Sequence, residues 1–328
     1  MKQLIIVSLI TLLIGCQTKA APSNALKPTT TIPLDGVRGR IDHMAVDAAN
    51  QRLYVAALGN DTVEVIDLKA AKRIAQITGL KKPQGVAVVT GSNRLVVASG
   101  EDGKCRVYDE NRKLLGTVDG LDDADNVRYD AEAKLIYVGY GEGALAVIDP
   151  ETIRKVGDIK LDGHPESFQL ETKGRRIFVN VPTARHVAVI DRDKRAVVAK
   201  WDVKDVEANF PMALDEANHR LFIGCRKPAK VLILDTHLGQ PVAAVDCCGD
   251  TDDVFYDAAN KRLYVSGGEG CVTVIEQSDP NIYKKGGQVT TAAGARTSFF
   301  DAGGRVLYVA VPLRASQRCE LRALAAQK

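Results

Sequence analysis

Residues 41–67 read IDHMAVDAANQRLYVAALGNDTVEVID, and they decide how the whole chain is read. Ile41–Asp47 alternates in polarity, Gln51–Ala57 carries Leu-Tyr-Val, and Thr62–Asp67 carries Val-Glu-Val-Ile before an Asp. Short runs rich in β-branched and aromatic residues, punctuated by Asn, Asp, Gln and Gly, predict three strands joined by tight turns. A fourth strand follows over Arg73–Ile77.

The pattern recurs along the chain. The second-strand anchor reappears at Arg94-Leu95, Lys134-Leu135, Arg176-Ile177, Arg220-Leu221, Arg262-Leu263 and Arg305-Val306, at steps of about 42 residues. The third strand returns as Arg106–Asp109, Leu145–Asp149, Val187–Asp191, Val231–Asp235 and Val272–Glu276, and in degenerate form around Cys319–Ala323. Seven units of four short strands at this period predict an all-β, seven-bladed β-propeller with four-stranded blades. The last unit stops soon after its third strand. A spare strand over Thr30–Gly36 precedes the first unit and resembles the fourth-strand end Gly157–Gly163. The N-terminal strand is therefore expected to close the last blade, leaving no open edge there.

The chain has 328 residues, 45% of them hydrophobic, and a formal net charge of +3. That balance carries no nucleic-acid signature, and aromatic interleaving of the basic residues is absent, so nucleic acid is not the expected partner. The start has the order of a targeting segment: Met1-Lys2, an apolar run from Leu4 to Ile14, then Leu13-Ile14-Gly15-Cys16, which resembles a bacterial lipobox. The expected organisation is a lipoprotein signal peptide over 1–15, lipidation of Cys16, a flexible tether over 16–29 and the propeller over 30–328. The expected location is the periplasmic side of the outer membrane, or the cell surface, with the lipid as the membrane contact. Six further cysteines remain: Cys105, Cys225, Cys247, Cys248, Cys271 and Cys319. One disulfide among Cys225, Cys247, Cys248 and Cys271 suits an exported chain.

The units also resemble the YVTN-type repeats of the YncE-like propeller family, through Asp47–Ala56 (DxxxxRLYVA), Asn60–Asp67 (NDTVEVID) and the Gly-x-Ile-x-Leu ending at Leu161. The resemblance spans about Gly36 to Ala323. The Tyr-Val-Thr-Asn signature itself is absent; Tyr54-Val55-Ala56-Ala57 stands in its place. The resemblance implies the fold. The wider superfamily includes surface-layer proteins, lactonases and cofactor-bearing dehydrogenase subunits, so it implies no single activity.

In a propeller the first strand of each blade lines the axis, and the segments leading into it meet at one mouth. Aligned on first-strand ends, one ring reads Asp42, Gln84, Asp125, Glu166, Phe210, Asp252 and Arg296. The next reads His43, Gly85, Asn126, Ser167, Pro211, Asp253 and Thr297, and the third is mostly apolar from Met44 onward. Carboxylates gathered at one level need a counter-cation: Arg296, an amine ligand, or a divalent cation on Asp42, Asp125, Glu166 and Asp252. The candidate ligand-binding set is Asp42, His43, Asp125, Asn126, Glu166, Asp252, Asp253 and Arg296. Arg185, Arg226, Lys227, Lys230 and Arg314 visit the same face and could form a positive sector beside the acidic one. No complete catalytic constellation is present, so the expected role is binding of a small molecule, an ion or an envelope protein at the mouth. The alternatives are a lactonase-type or lyase-type enzyme using His43 or His164 with a neighbouring carboxylate, and a structural envelope protein.

Overall fold

A computed structural model describes residues 21–328, so the segment read as a signal peptide over 1–15, and Cys16, lie outside the described residues. Seven four-stranded antiparallel sheets follow one another along the chain. Blade one comprises Met44–Asp47, Arg52–Ala57, Thr62–Asp67 and Lys72–Ile77. The regular part of its first strand begins three residues later than Ile41. Asp42 and His43 nevertheless stay tied to the second strand, Asp42 N–H donating to Ala56 O at 2.7 Å and Ala56 N–H to His43 O at 3.0 Å.

The core lies between blades, which explains the recurring Leu-Tyr-Val. Side chains alternate across a strand. Leu53 and Val55 pack with Ile32, Tyr308 and Leu321 of blade seven. Tyr54 and Ala56 face the other way, onto Val86, Leu95 and Val97 of blade two. Both faces are buried, so the second strand is apolar throughout.

The recurring arginine at the start of the second strand has its own task. It reaches the turn between the third and fourth strands of the next blade: Arg52 to Glu110 O (3.2 Å), Arg94 to Pro150 O (2.6 Å), Arg220 to Pro280 O (2.8 Å). Arg176 does the same with Thr236 O, and Arg262 reaches Gln327 O at 2.7 Å near the chain end. Blade three carries Lys134 instead, and there Arg192 of blade four reaches back to pair with buried Asp130.

The last sheet runs Leu26–Pro33, Glu320–Ala326, Val306–Val311, Ser298–Asp301, so the N-terminal strand closes blade seven. It begins at Leu26 rather than Thr30, and Pro22 already bridges to Gln288. Residues 26–29, read above as tether, are therefore sheet. The strand was hard to delimit because it is outermost: Leu26 and Ile32 are buried and the residues between them are exposed, which leaves little hydrophobic pattern. The disulfide is Cys248–Cys271, joining the approach to blade six to the start of that blade's third strand. Cys105, Cys225 and Cys319 are buried thiols and Cys247 is half-buried.

Candidate functional site

The approach segments are held at matching heights by matching bonds. As Asp42 N–H binds Ala56 O, so Asp125 N–H binds Gly139 O at 2.9 Å and Glu166 N–H binds Asn180 O at 3.0 Å. Gly85 lets the blade-three segment come close: a Cβ there would lie 1.9 Å from Asp125 O.

Asp42, His43 and Asp125 converge. His43 Nε2 is 3.3 Å from Asp125 Oδ1 and 3.6 Å from Asp42 Oδ1. One ligand atom from each of the three lies within 4.8 Å of the others. Asp42 is 2% exposed and Asp125 8%. Asp42 Oδ2 is 2.8 Å from Arg40 Nη2, but it makes no well-formed hydrogen bond; nor does Asp125 Oδ1 or Asn126 Oδ1, all buried. Such atoms have lost water without full replacement.

The electrostatics follow from burial and crowding. Burial raises Asp42 above the usual carboxylate range, and the neighbouring Asp125 adds to this against the pull of His43 and Arg40. Burial acts the same way on Asp125, but the close approach and charge of His43 outweigh it and bring Asp125 down. Burial alone would lower His43; the two aspartates overcome it and lift the imidazole to about 10, which keeps it protonated at neutral pH. Burial, reinforced by Asp125 and Asp252, pushes Glu166 up to about 8. Burial also takes Asp253 to about 8, and its Oδ2 accepts from Ser298 N–H at 2.7 Å.

The blade-six acids divide. Asp252, expected beside Asp42 as a cation ligand, is held by two arginines: Arg226 Nη2 at 2.5 Å and Arg296 Nε at 3.0 Å. Arg296 Nη1 also binds Asp250 at 3.1 Å, and the Arg226 guanidinium stacks 4.3 Å from the Phe210 ring. This half of the mouth is neutralised by the chain itself. His164 sits at the rim, its Nδ1 donating to Gly141 O at 2.7 Å, with Asp123 3.8 Å away. Arg185 pairs with Glu207. The sequence rings missed Arg40, two residues before the aligned level, and did not foresee that Arg226 would join Arg296 on Asp252.

No family model matches the chain. It is 26% identical over 224 residues to the uncharacterized protein YncE of Salmonella typhimurium, covering 67% of this chain and 62% of that protein. It is 27% identical over 225 residues to YncE of Salmonella typhi, with the same coverage. The chain thus spans less than two-thirds of the length of the curated relatives it matches. Among solved structures it is similar to a chain of Kuenenia stuttgartiensis hydrazine synthase, with a TM-score of 0.75 and 16% identity over 86% of this chain and 98% of that one. It is also similar to a chain of the mitotic checkpoint complex, with a TM-score of 0.78 and 14% identity over 99% of this chain and all of that one. At such identities the structural likeness speaks to the fold alone. Sequence relatives and blade architecture together describe a seven-bladed β-propeller with YncE homologues.

Proposed function

We propose that this protein is a binding protein of the cell envelope whose channel mouth captures a divalent cation on Asp42, His43 and Asp125. The observation that carries the reading is the convergence of half-buried His43 with buried Asp42 and Asp125, whose carboxylate oxygens lack full hydrogen bonding. The spacing supports it. Tetrahedral bonds of ~2.0–2.2 Å place ligand atoms roughly 3.3–3.6 Å apart, and the two His43–aspartate separations are 3.3 and 3.6 Å. One imidazole with two carboxylates suits a zinc-like ion better than magnesium or calcium, which prefer oxygen throughout. In the ion's absence the proton on His43 serves as the counter-charge, so the metal would exchange with a proton. Glu166 and Asp253 complete the acidic surroundings, while Asp252 is already satisfied by arginine. Isothermal titration should show one Zn2+ per chain and much weaker Ca2+ binding, and His43→Ala or Asp125→Asn should abolish the Zn2+ heat. Absence of stoichiometric Zn2+ binding by the wild-type chain refutes the reading.

The enzyme alternative is weakened by the state of His43: an imidazole held protonated near neutral pH is a poor general base. His164 donates to a backbone carbonyl, which orients it as a rim residue.

Export and lipid anchoring through Cys16, on the periplasmic side of the outer membrane, belong to the same proposal. The lipobox-like order of residues 1–16 supports it, and so does the Cys248–Cys271 bond, since disulfides persist in oxidising compartments. Cys16→Ser should shift the protein from the membrane fraction to the soluble one; unchanged fractionation excludes the anchor.

A further inference from the structure

Below the mouth the channel holds a cavity of about 470 Å3. Its lining runs from His43 and Asp253 at the mouth end to Thr90 and Ala131, in the turns beyond the first strands. The cavity therefore reaches toward the face opposite the mouth. The ring of first-strand residues one step inside the Met44 level reads Ala45, Ala87, Arg128, Gln169, Ala213, Phe255 and Phe299. Five of these are apolar, and Arg128 is the one charge.

Arg128 is anomalous. The two buried arginines of the described chain each have a carboxylate: Arg192 has Asp130, and Arg220 has Asp235 at 2.7 Å. Among the described residues no ion pair involves Arg128. Its Nη1 donates to the adjacent Val127 O at 2.9 Å, and its guanidinium lies 5.5 Å from the Phe168 ring. A guanidinium carries five N–H donors and stays charged; Arg128 lines the cavity, and Val127 O is the one acceptor it meets among the described residues. The amide of Gln169 is engaged by Met212 O at 2.8 Å. A half-buried charge with no ion-pair partner is available to an anion, and a mostly apolar cavity with a few convergent polar groups is the form of a small-molecule site.

We propose that the channel is a second ligand site, taking a small organic carboxylate with an apolar body. The carboxylate forms a bidentate pair with the Arg128 guanidinium, and the body lies against Phe255 and Phe299, whose rings meet edge to face 5.7 Å apart. The site stands apart from the cation reading: it uses a different anchor and does not need an occupied mouth.

The test uses the full chain, with 3-phenylpropanoate as probe and 3-phenylpropan-1-ol as the uncharged comparator, followed by saturation-transfer NMR and calorimetry. The acid should bind saturably at one site and the alcohol at least ~10-fold more weakly, as expected for loss of a charge-assisted pair. Arg128→Met should remove the preference for the acid, and Arg128→Lys, which keeps the charge without the fork, should retain part of it. Thermal denaturation separates this role from a structural one: Arg128→Met should keep or raise Tm, because a half-buried charge without an ion-pair partner has gone. Equal binding of acid and alcohol, undiminished acid binding by Arg128→Met, or no saturable binding of the acid by the wild-type chain at millimolar concentration overturns the proposal.

Discussion

Replacing Asp253 by asparagine should stabilise the protein at neutral pH, and the gain should disappear in acid. Burial lifts Asp253 from an ordinary 3.8 to about 8. At pH 7 the folded chain therefore holds a proton that the unfolded chain has released. Each pKa unit is about 1.4 kcal/mol, so the ceiling on this cost is about 4 kcal/mol. Asp253 lines the channel, and channel water screens it, so about 2 kcal/mol is expected. The sign follows from linkage: a group raised on folding leaves the folded state binding more protons between pH ~4 and ~8, and stability falls as pH rises through that window. Asparagine keeps an acceptor for the Ser298 N–H and has no proton to hold. Urea denaturation of both proteins from pH 4 to 8.5 should give curves that coincide near pH 4 and separate progressively above it, the variant being more stable. A variant less stable than wild type at pH 7.5, or a difference independent of pH, would refute the reasoning.

Three other outcomes follow from the fold. Glu216 accepts hydrogen bonds from the backbone N–H groups of Thr172, Lys173 and Gly174 and from the Thr172 hydroxyl, which together outweigh its burial and bring it from 4.5 to about 2. Glu216→Gln should cost about 1–2 kcal/mol at pH 7, discounted for solvent exposure, and the loss should fade as pH falls from 4.5 toward 2; a loss that persists at pH 2 would contradict the assignment. The Cys248–Cys271 bond closes a loop with a sequence separation of 23, so the double substitution to alanine should lower stability by about 3 kcal/mol in chain-entropy terms, as read by denaturant titration; an unchanged midpoint would show the loop is ordered without it. In the closing strand, Leu26→Ala and Ile32→Ala, each 2% exposed, should each cost about 2–5 kcal/mol, whereas Thr31→Ala, on the exposed stretch, should fall within ~0.5 kcal/mol. Equal losses at all three positions would mean that the buried anchors do not carry the closure.

Period and strand count were readable in the chain because every blade repeats one solution to burying both faces of its second strand. The repeated arginine was visible as a landmark, but its purpose was not: its acceptor is a carbonyl in the following blade, and no local pattern records a partner about 60 residues away. The start of the closing strand was obscured for the opposite reason. An outermost strand buries only Leu26 and Ile32, so its residues look like linker. At the mouth, strand alignment placed Asp42, Asp125 and Glu166 at one height, because register transfers between repeats. It could not say which acids would be neutralised. Asp252 found Arg226 and Arg296 through side-chain reach across blades, and Arg40 approaches Asp42 from outside the aligned ring. Arg128 lay one ring deeper than the level at which the chemistry was sought, where a single charge among alanines and phenylalanines is the signal.

The central claim is that Asp42, His43 and Asp125 hold one metal ion, and anomalous diffraction from crystals grown with Zn2+ tests it most directly. A single strong anomalous peak should stand at the channel mouth, about 2.0–2.2 Å from His43 Nε2 and from one oxygen of each aspartate, and should be absent from crystals of His43→Ala. A mouth without a peak at saturating Zn2+, with His43 still seated between the two carboxylates, would contradict it.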